Sequence, residues 1–305
     1  MDKKDTFKSL VAAAAAALVG LAARAAGPNS PASAELPDDV PPAEAPAEDG
    51  AAAPAKRRNP SFAFRSEFAS GYLSSGGTLG DTSPISTQCL YWRYGLGDYG
   101  TLSGYGWTIS SLHNRQHDAH HEAFYQFESA FYYGYDWKVR DEFTLRTKAG
   151  PLWNPTYGYH DGHNCNWGVH AVQSLDNPYV TPYINWLGMV RTAIRERARI
   201  GVEHKFKLCE GFSLTPFTET VWMDSRRYQS RYGGIPQDRF LGGAFATVTT
   251  GVVLEWMWSK DFMFFARLRQ YDVINSQSRR AVKHQDSYYA KCDWPVLGVG
   301  FEYRF

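Results

Sequence analysis

No stretch of this chain strings together the roughly 18 apolar residues that a membrane-spanning helix requires, so a helical membrane protein is excluded. Charge of one sign is equally scarce: 32 Lys and Arg stand against 31 Asp and Glu, for a net charge of +1. Nucleic-acid binders carry basic stripes, and this balance argues against a nucleic-acid partner. A Gly-x-Ser-x-Gly nucleophile elbow is missing. No cofactor is expected.

The amino-terminal region has its own character. Lys3, Lys4 and Lys8 precede an apolar stretch from Leu10 to Ala23, and Ala23-Arg24-Ala25 supplies a small-residue cleavage motif. This pattern predicts a secretory signal peptide over residues 1–26, cut between Ala25 and Gly27. No Cys follows the motif, so a lipid-modified terminus is not indicated. Residues 27–60 turn to Pro, Ala and acidic residues, a composition that cannot bury enough apolar surface to offset its ordering entropy. A disordered linker is expected there. Lys56-Arg57-Arg58 at its end either meet anionic head groups and lipopolysaccharide phosphates or form the solvated end of a spacer.

From residue 61 the pattern is a period of two, the signature of strands rather than helices. Phe62, Phe64, Ser66, Phe68, Ser70 and Tyr72 alternate with Ala63, Arg65, Glu67, Ala69 and Gly71. Between 121 and 137 the odd positions are largely aromatic, while the even ones include Glu122, Gln126, Glu128 and Asp136. At the end, Leu297, Val299, Phe301, Tyr303 and Phe305 alternate with Gly298, Gly300, Glu302 and Arg304. The same template predicts further strands near 84–94, 101–112, 143–153, 169–175, 179–190, 196–208, 212–225, 240–258 and 262–275, with the last covering 288–305. That makes twelve, joined alternately by short and long connections. The segment 169–175 decides the parity, and ten or fourteen strands are the alternatives. The expected fold is all-β: a transmembrane antiparallel up-and-down barrel over residues 61–305, with short turns facing the periplasm and long loops facing outward.

In this register one face of the strands carries Arg65, Glu67, Arg93, Glu122, Glu128, Asp136, Arg146, Lys148, Arg197, Arg199, Glu203, Lys205, Lys207, Glu219, Glu255, Arg267, Arg269, Glu302 and Arg304. Charges on a lipid face cost several kcal/mol near the midplane, so these positions are assigned to the lumen. A soluble lipocalin-like barrel would invert the arrangement, with apolar residues inside. Aromatic clusters at strand ends, in Trp92-Arg93-Tyr94, Tyr132-Tyr133-Gly134-Tyr135, Trp256-Met257-Trp258 and Tyr288-Tyr289, read as interfacial girdles and oppose it.

Six of the nine histidines, His113, His117, His120, His121, His160 and His163, fall in two predicted outer loops. With Asp118, the set His117, His120, His121, His160 and His163 offers ligand types suited to zinc or copper, although the spacing matches no specific metal motif. An Asp–His pair, Asp118 with His117 or Asp161 with His160, could instead activate water at the rim. His204 is read as the one mid-strand histidine for a Ser-His-Asn site, without a partner. Cys89 and Cys292 are placed inward near the outer ends of strands two and twelve, too far apart for a direct bond. Cys165, in the longest loop, could reach either, leaving Cys209 free; four unpaired thiols are the alternative.

With its secretory signal, alternating strands, loop asymmetry and terminal Phe305, the chain resembles Gram-negative outer-membrane β-barrels, and more loosely their porin-like families. The segments Gly71-Tyr72-Leu73-Ser74-Ser75-Gly76-Gly77 and Leu175-Asp176-Asn177-Pro178-Tyr179-Val180 look like pieces of those families. The resemblance implies passive diffusion of small hydrophilic solutes or ions, outer-membrane lipid and lipopolysaccharide as surroundings, and delivery to the outer-membrane assembly machinery through the Phe305-terminal strand. A non-conducting structural or adhesive barrel, or a rim hydrolase or metal-binding barrel, are the other readings. Twelve strands lie between the eight that side chains fill and the sixteen to eighteen that leave an aqueous channel, so a narrow lumen is expected.

Overall fold

The computed structural model describes residues 60–73, 80–81, 84–112, 125–154, 166–190, 196–225, 241–276, 278–279 and 292–305. The predicted signal peptide, the linker, the histidines of both rim loops, Asp118, Asp161, Glu122 and Cys165 lie outside the described residues.

Twelve staves form one closed antiparallel barrel. They are β1 (Ser61–Ala69), β2 (Ile85–Gly95), β3 (Thr101–Ser111), β4 (Tyr125–Arg140), β5 (Phe143–Asn154), β6 (Asn166–Asp176), β7 (Thr181–Val190), β8 (Glu196–Glu203), β9 (Phe212–Ser225), β10 (Leu241–Ser259), β11 (Phe262–Val273) and β12 (Asp293–Arg304). Each pairs with its sequence neighbour, and β1 pairs with β12 to close the ring, with Arg65 opposite Glu302 and Phe64 opposite Tyr303. Closure leaves no unpaired edge, the condition under which strands can cross lipid. A small ladder of Tyr72–Leu73 with Gly80–Asp81 stands apart from the barrel.

Two details depart from the sequence expectation. The segment expected at 169–175 is a longer strand, β6, paired from Trp167 to Ser174 with β7 and on both flanks of the sheet. The segment expected as one strand over 196–208 is interrupted: β8 stops at Glu203 and pairing with β9 resumes at Phe206–Cys209. Pro216 stands opposite the gap, where the His204 amide donates to its carbonyl at 3.2 Å. Proline has no amide to return the bond, so the ladder breaks there.

All described short connections lie at one end of the barrel. The turn 177–180 is built by a single side chain: Asn177 Oδ1 accepts from the amides of Tyr179 and Val180 at 3.0 and 3.1 Å, and its Nδ2 donates to the carbonyls of Leu175 and Val180. Such Asx geometry replaces the backbone turn bond. This short-turn rim also carries the seam between the ends of the sheet, where Phe62 and Phe305 exchange backbone hydrogen bonds and stack their rings.

Alternation along the strands settles which face is which. On β12, Val296 is 1% exposed while the next residue, Leu297, is 54% exposed. Phe68, Leu90, Phe131, Tyr133, Trp153, Ile200, Leu254, Leu268, Val299 and Tyr303 all show their side chains outward. An apolar patch that encircles a molecule is far larger than those of soluble monomers; the outer wall is a lipid-facing surface. The lipocalin-like alternative, with charges outward, is overturned by the buried Arg65, Arg197, Arg199, Arg267 and Arg269.

Candidate functional site: the barrel interior

The inward side chains of the described residues form two unlike layers. Toward the short-turn rim they are ionic. Arg146 Nη2 binds Asp176 at 2.9 Å and its Nε lies 3.9 Å from Asp136. Lys205 meets Glu255 at 2.7 Å, and Ser213 donates to the same carboxylate at 2.9 Å. Arg304 Nε holds Glu302 at 2.7 Å, while Arg65 approaches the other Glu302 oxygen at 3.8 Å. Arg93 donates to the Thr101 hydroxyl at 3.3 Å.

Near mid-height, pairs form between staves that are not neighbours. Glu67 of β1 receives Arg267 at 3.3 Å and Arg269 at 3.6 Å, both from β11, across the whole width of β12. The crossing is possible because β12 presents Gly298 and Gly300 inward there; a methyl group on Gly298 would strike the Glu67 carboxylate, and one on Gly300 would strike the Ser66 carbonyl and the Phe265 ring. Phe265 lies under the Arg65 guanidinium at 3.9 Å and the Arg267 guanidinium at 5.0 Å, contacts that stabilise desolvated cations. The same device recurs on β8. Tyr183 of β7 donates to Glu219 of β9 at 2.8 Å over Gly201, and Arg199 Nε stands 3.6 Å from the same carboxylate.

Water reaches few of these groups. The side chains of Asp136 and Arg146 at the short-turn mouth are 46% and 28% exposed, whereas those of Arg199 and Glu219 are 1% and 2% exposed. Mid-height charges are therefore desolvated and held by their partners, as buried ions must be.

Above them runs a lateral belt of hydrogen bonds. Trp107 donates to Glu128 at 3.1 Å, and the Tyr105 hydroxyl donates to the same oxygen. The rings of Tyr105 and Tyr132 are 6.0 Å apart. Tyr132 bonds His170 Nδ1, and His170 Nε2 bonds Asn185 Oδ1. A carbonyl oxygen can only accept, so Nε2 carries the proton and Nδ1 accepts from the tyrosine. Lys148 Nζ lies 5.1 Å over the Tyr132 ring.

The second layer, toward the long-connection rim, is apolar. Ala69, Ile85, Cys89, Trp107, Ile109, Leu152, Leu187, Tyr271, Val273, Cys292, Trp294 and Val296 belong to one contiguous cluster with Tyr105, Ala130 and Tyr132, and Tyr91 and Met189 pack against it. Its members come from β1 through β5, β7, β11 and β12, so it reaches from the seam to the opposite wall.

Of the lumen positions named from the sequence, Arg65, Glu67, Arg93, Glu128, Asp136, Arg146, Lys148, Arg197, Arg199, Glu203, Glu219, Glu255, Arg267, Arg269, Glu302 and Arg304 lie on barrel staves, Lys205 lies in the β8 gap and Lys207 in the short strand Phe206–Cys209. His204 sits in that gap too, edge-on to Phe206 at 4.4 Å. Among the described residues the mid-strand histidine is His170, fully buried and joined to Asn185. Tyr132, expected in a girdle, points inward. Cys89 and Cys209 are free thiols, the Cys292 thiol donates to the Arg279 carbonyl at 3.7 Å, and among the described residues no cluster of potential metal ligands occurs.

Among solved structures, an outer-membrane channel from Pseudomonas putida F1 aligns with a TM-score of 0.50 at 11% identity, covering 82% of this chain and 97% of that one. The fold is that of an outer-membrane β-barrel. The KdgM porin aligns at 0.45 and 10% identity over 80% of this chain and 99% of its own. The NanC porin aligns at 0.46 and 12% identity over 79% and 98%. No family model matches the sequence, and no curated protein does. At these identities the likeness to the channel is one of architecture, and the interior chemistry belongs to this barrel's own residues.

Proposed function

We propose that this chain is a porin-like channel of the outer membrane, passing small hydrophilic solutes or ions through a narrow, charged lumen. The observation that carries the reading is the ionic interior: exposed Asp136 and Arg146 stand at the short-turn mouth, and buried pairs such as Arg199–Glu219 and Glu67–Arg267 line the wall within. A wall that is apolar outside and ionic inside suits a polar solute moving across lipid. The short turns then face the periplasm, the segment 1–26 directs export, and 27–60 is a periplasmic tail.

A non-conducting structural barrel is the second reading, favoured by the near-complete burial of Arg199 and His170. Planar-bilayer recording on refolded protein separates the two. A channel shows discrete conductance steps, and replacing Arg146, Lys148 and Lys205 by Gln shifts its cation-to-anion permeability ratio several-fold toward cations. Silence of the wild type and of that triple variant alike would remove the channel reading.

A further inference from the structure

We propose that the apolar layer near the long-connection rim is a hydrophobic gate, which keeps the lumen shut until its side chains part; this rests on the channel reading above. Membrane barrels place apolar residues outward and polar ones inward. Here Ile109, Val273, Trp294 and Val296 break that rule, facing inward on staves whose outer face is also apolar, as Val296 and Leu297 show side by side. Departures from an otherwise consistent pattern mark function more often than accident.

The layer excludes water across several staves: Ile109 of β3, Leu152 of β5, Val273 of β11 and Val296 of β12 all face inward, and each is no more than 2% exposed. Val273 and Val296 are excluded from solvent. A constriction of this kind blocks ions by refusing water, and it opens when it wets. Cys89, buried in the cluster, forms no disulfide. The ionic groups border this layer directly: Arg269 donates to the Tyr271 hydroxyl at 3.1 Å, and Trp107 donates to Glu128 at 3.1 Å.

The cysteines also provide the test. Cys89 is buried at the border of the apolar layer, opposite Arg65, and Cys209 is exposed on the short-turn rim. In a Cys165→Ser background of the full chain, reconstituted in vesicles and planar bilayers, a charged methanethiosulfonate reagent is applied and labelled sites are read by mass spectrometry. In otherwise wild-type protein Cys209 labels and Cys89 does not. The Val273→Thr/Val296→Thr double variant, which keeps side-chain volume while adding hydroxyls, raises open probability at least tenfold and exposes Cys89 to the reagent. Ile109→Thr carries the same two readouts if the double variant does not fold.

Labelling of Cys89 at the Cys209 rate without any Thr substitution overturns the gate, and steady conductance in that protein leaves the channel standing. Unchanged labelling and conductance in both Thr variants overturn it as well. If Cys89 becomes reactive in the Thr variants while every variant stays electrically silent, the wetting seal is real and the channel reading fails.

Discussion

Glu67 and Arg267 belong to staves that never touch, and their side chains nevertheless meet at 3.3 Å over the glycines of the stave between them. The last strand therefore acts as a saddle: its inward glycines are the room in which a longer-range ion pair is made.

The two saddle glycines should respond differently to a methyl group. At Gly300 the new atom meets the Ser66 backbone carbonyl and the Phe265 ring, neither of which can yield; at Gly298 it meets the end of the Glu67 side chain, which can rotate. Gly300→Ala is expected to destabilise by about 1–3 kcal/mol, in the range of overpacked cores, and Gly298→Ala by less. Urea unfolding in detergent, followed by heat-modifiable gel mobility, measures both; equal losses would refute the saddle.

Arg199 and Glu219 are both nearly solvent-free and 3.6 Å apart. Removing one partner of a buried pair leaves the other charge stranded, so Arg199→Met should cost about 3–5 kcal/mol. Arg199→Met with Glu219→Gln should recover much of that loss, since Tyr183 can still donate to the amide oxygen. A double-mutant cycle reports the coupling, and strict additivity would argue against a direct interaction.

Phe265 lies under two guanidinium groups. Phe265→Leu keeps an apolar side chain but removes the ring quadrupole, with an expected loss of about 1–2 kcal/mol. Combining it with Arg65→Met should show less than the sum of the single losses in the same unfolding assay.

Asn177 closes its turn with bonds from both ends of its amide. Asn177→Ala leaves two amides and two carbonyls to water and should destabilise by about 1–2 kcal/mol, whereas Asn177→Asp, which retains only the acceptor half, should fall between. Refolding rates into micelles ought to follow the same order.

The staves were legible because a membrane barrel enforces alternation over long stretches: Leu297 to Phe305 could be assigned to faces from sequence, and the burial pattern agrees. The parity question at 169–175 was harder, since His170 interrupts the expected run; β6 accommodates it because Asn185 of the neighbouring β7 and Tyr132 of β4, reaching over Gly150 of β5, bond its ring, contacts between residues far apart in the chain. The β8 gap was hidden for the same reason, its cause being Pro216 on the facing strand. Ionic lumen positions were readable from parity alone, but their partners were not, because Glu67 and Arg267 are joined over a third stave. The apolar inner layer carried a readable sign: in Trp294 to Val299 both parities are largely hydrophobic. A two-faced scheme of oil outside and charge inside has no place for it.

The seam that joins Ala63 to Arg304 ties the first stave to the last. No partial chain can complete this cylinder, because β1 stays open along one side until the final dozen residues arrive. During that interval two ladder edges offer themselves to any passing strand, the condition that leads to aggregation. Closure of the ring thus waits on the carboxyl-terminal strand, the one element that can cover the open side of β1.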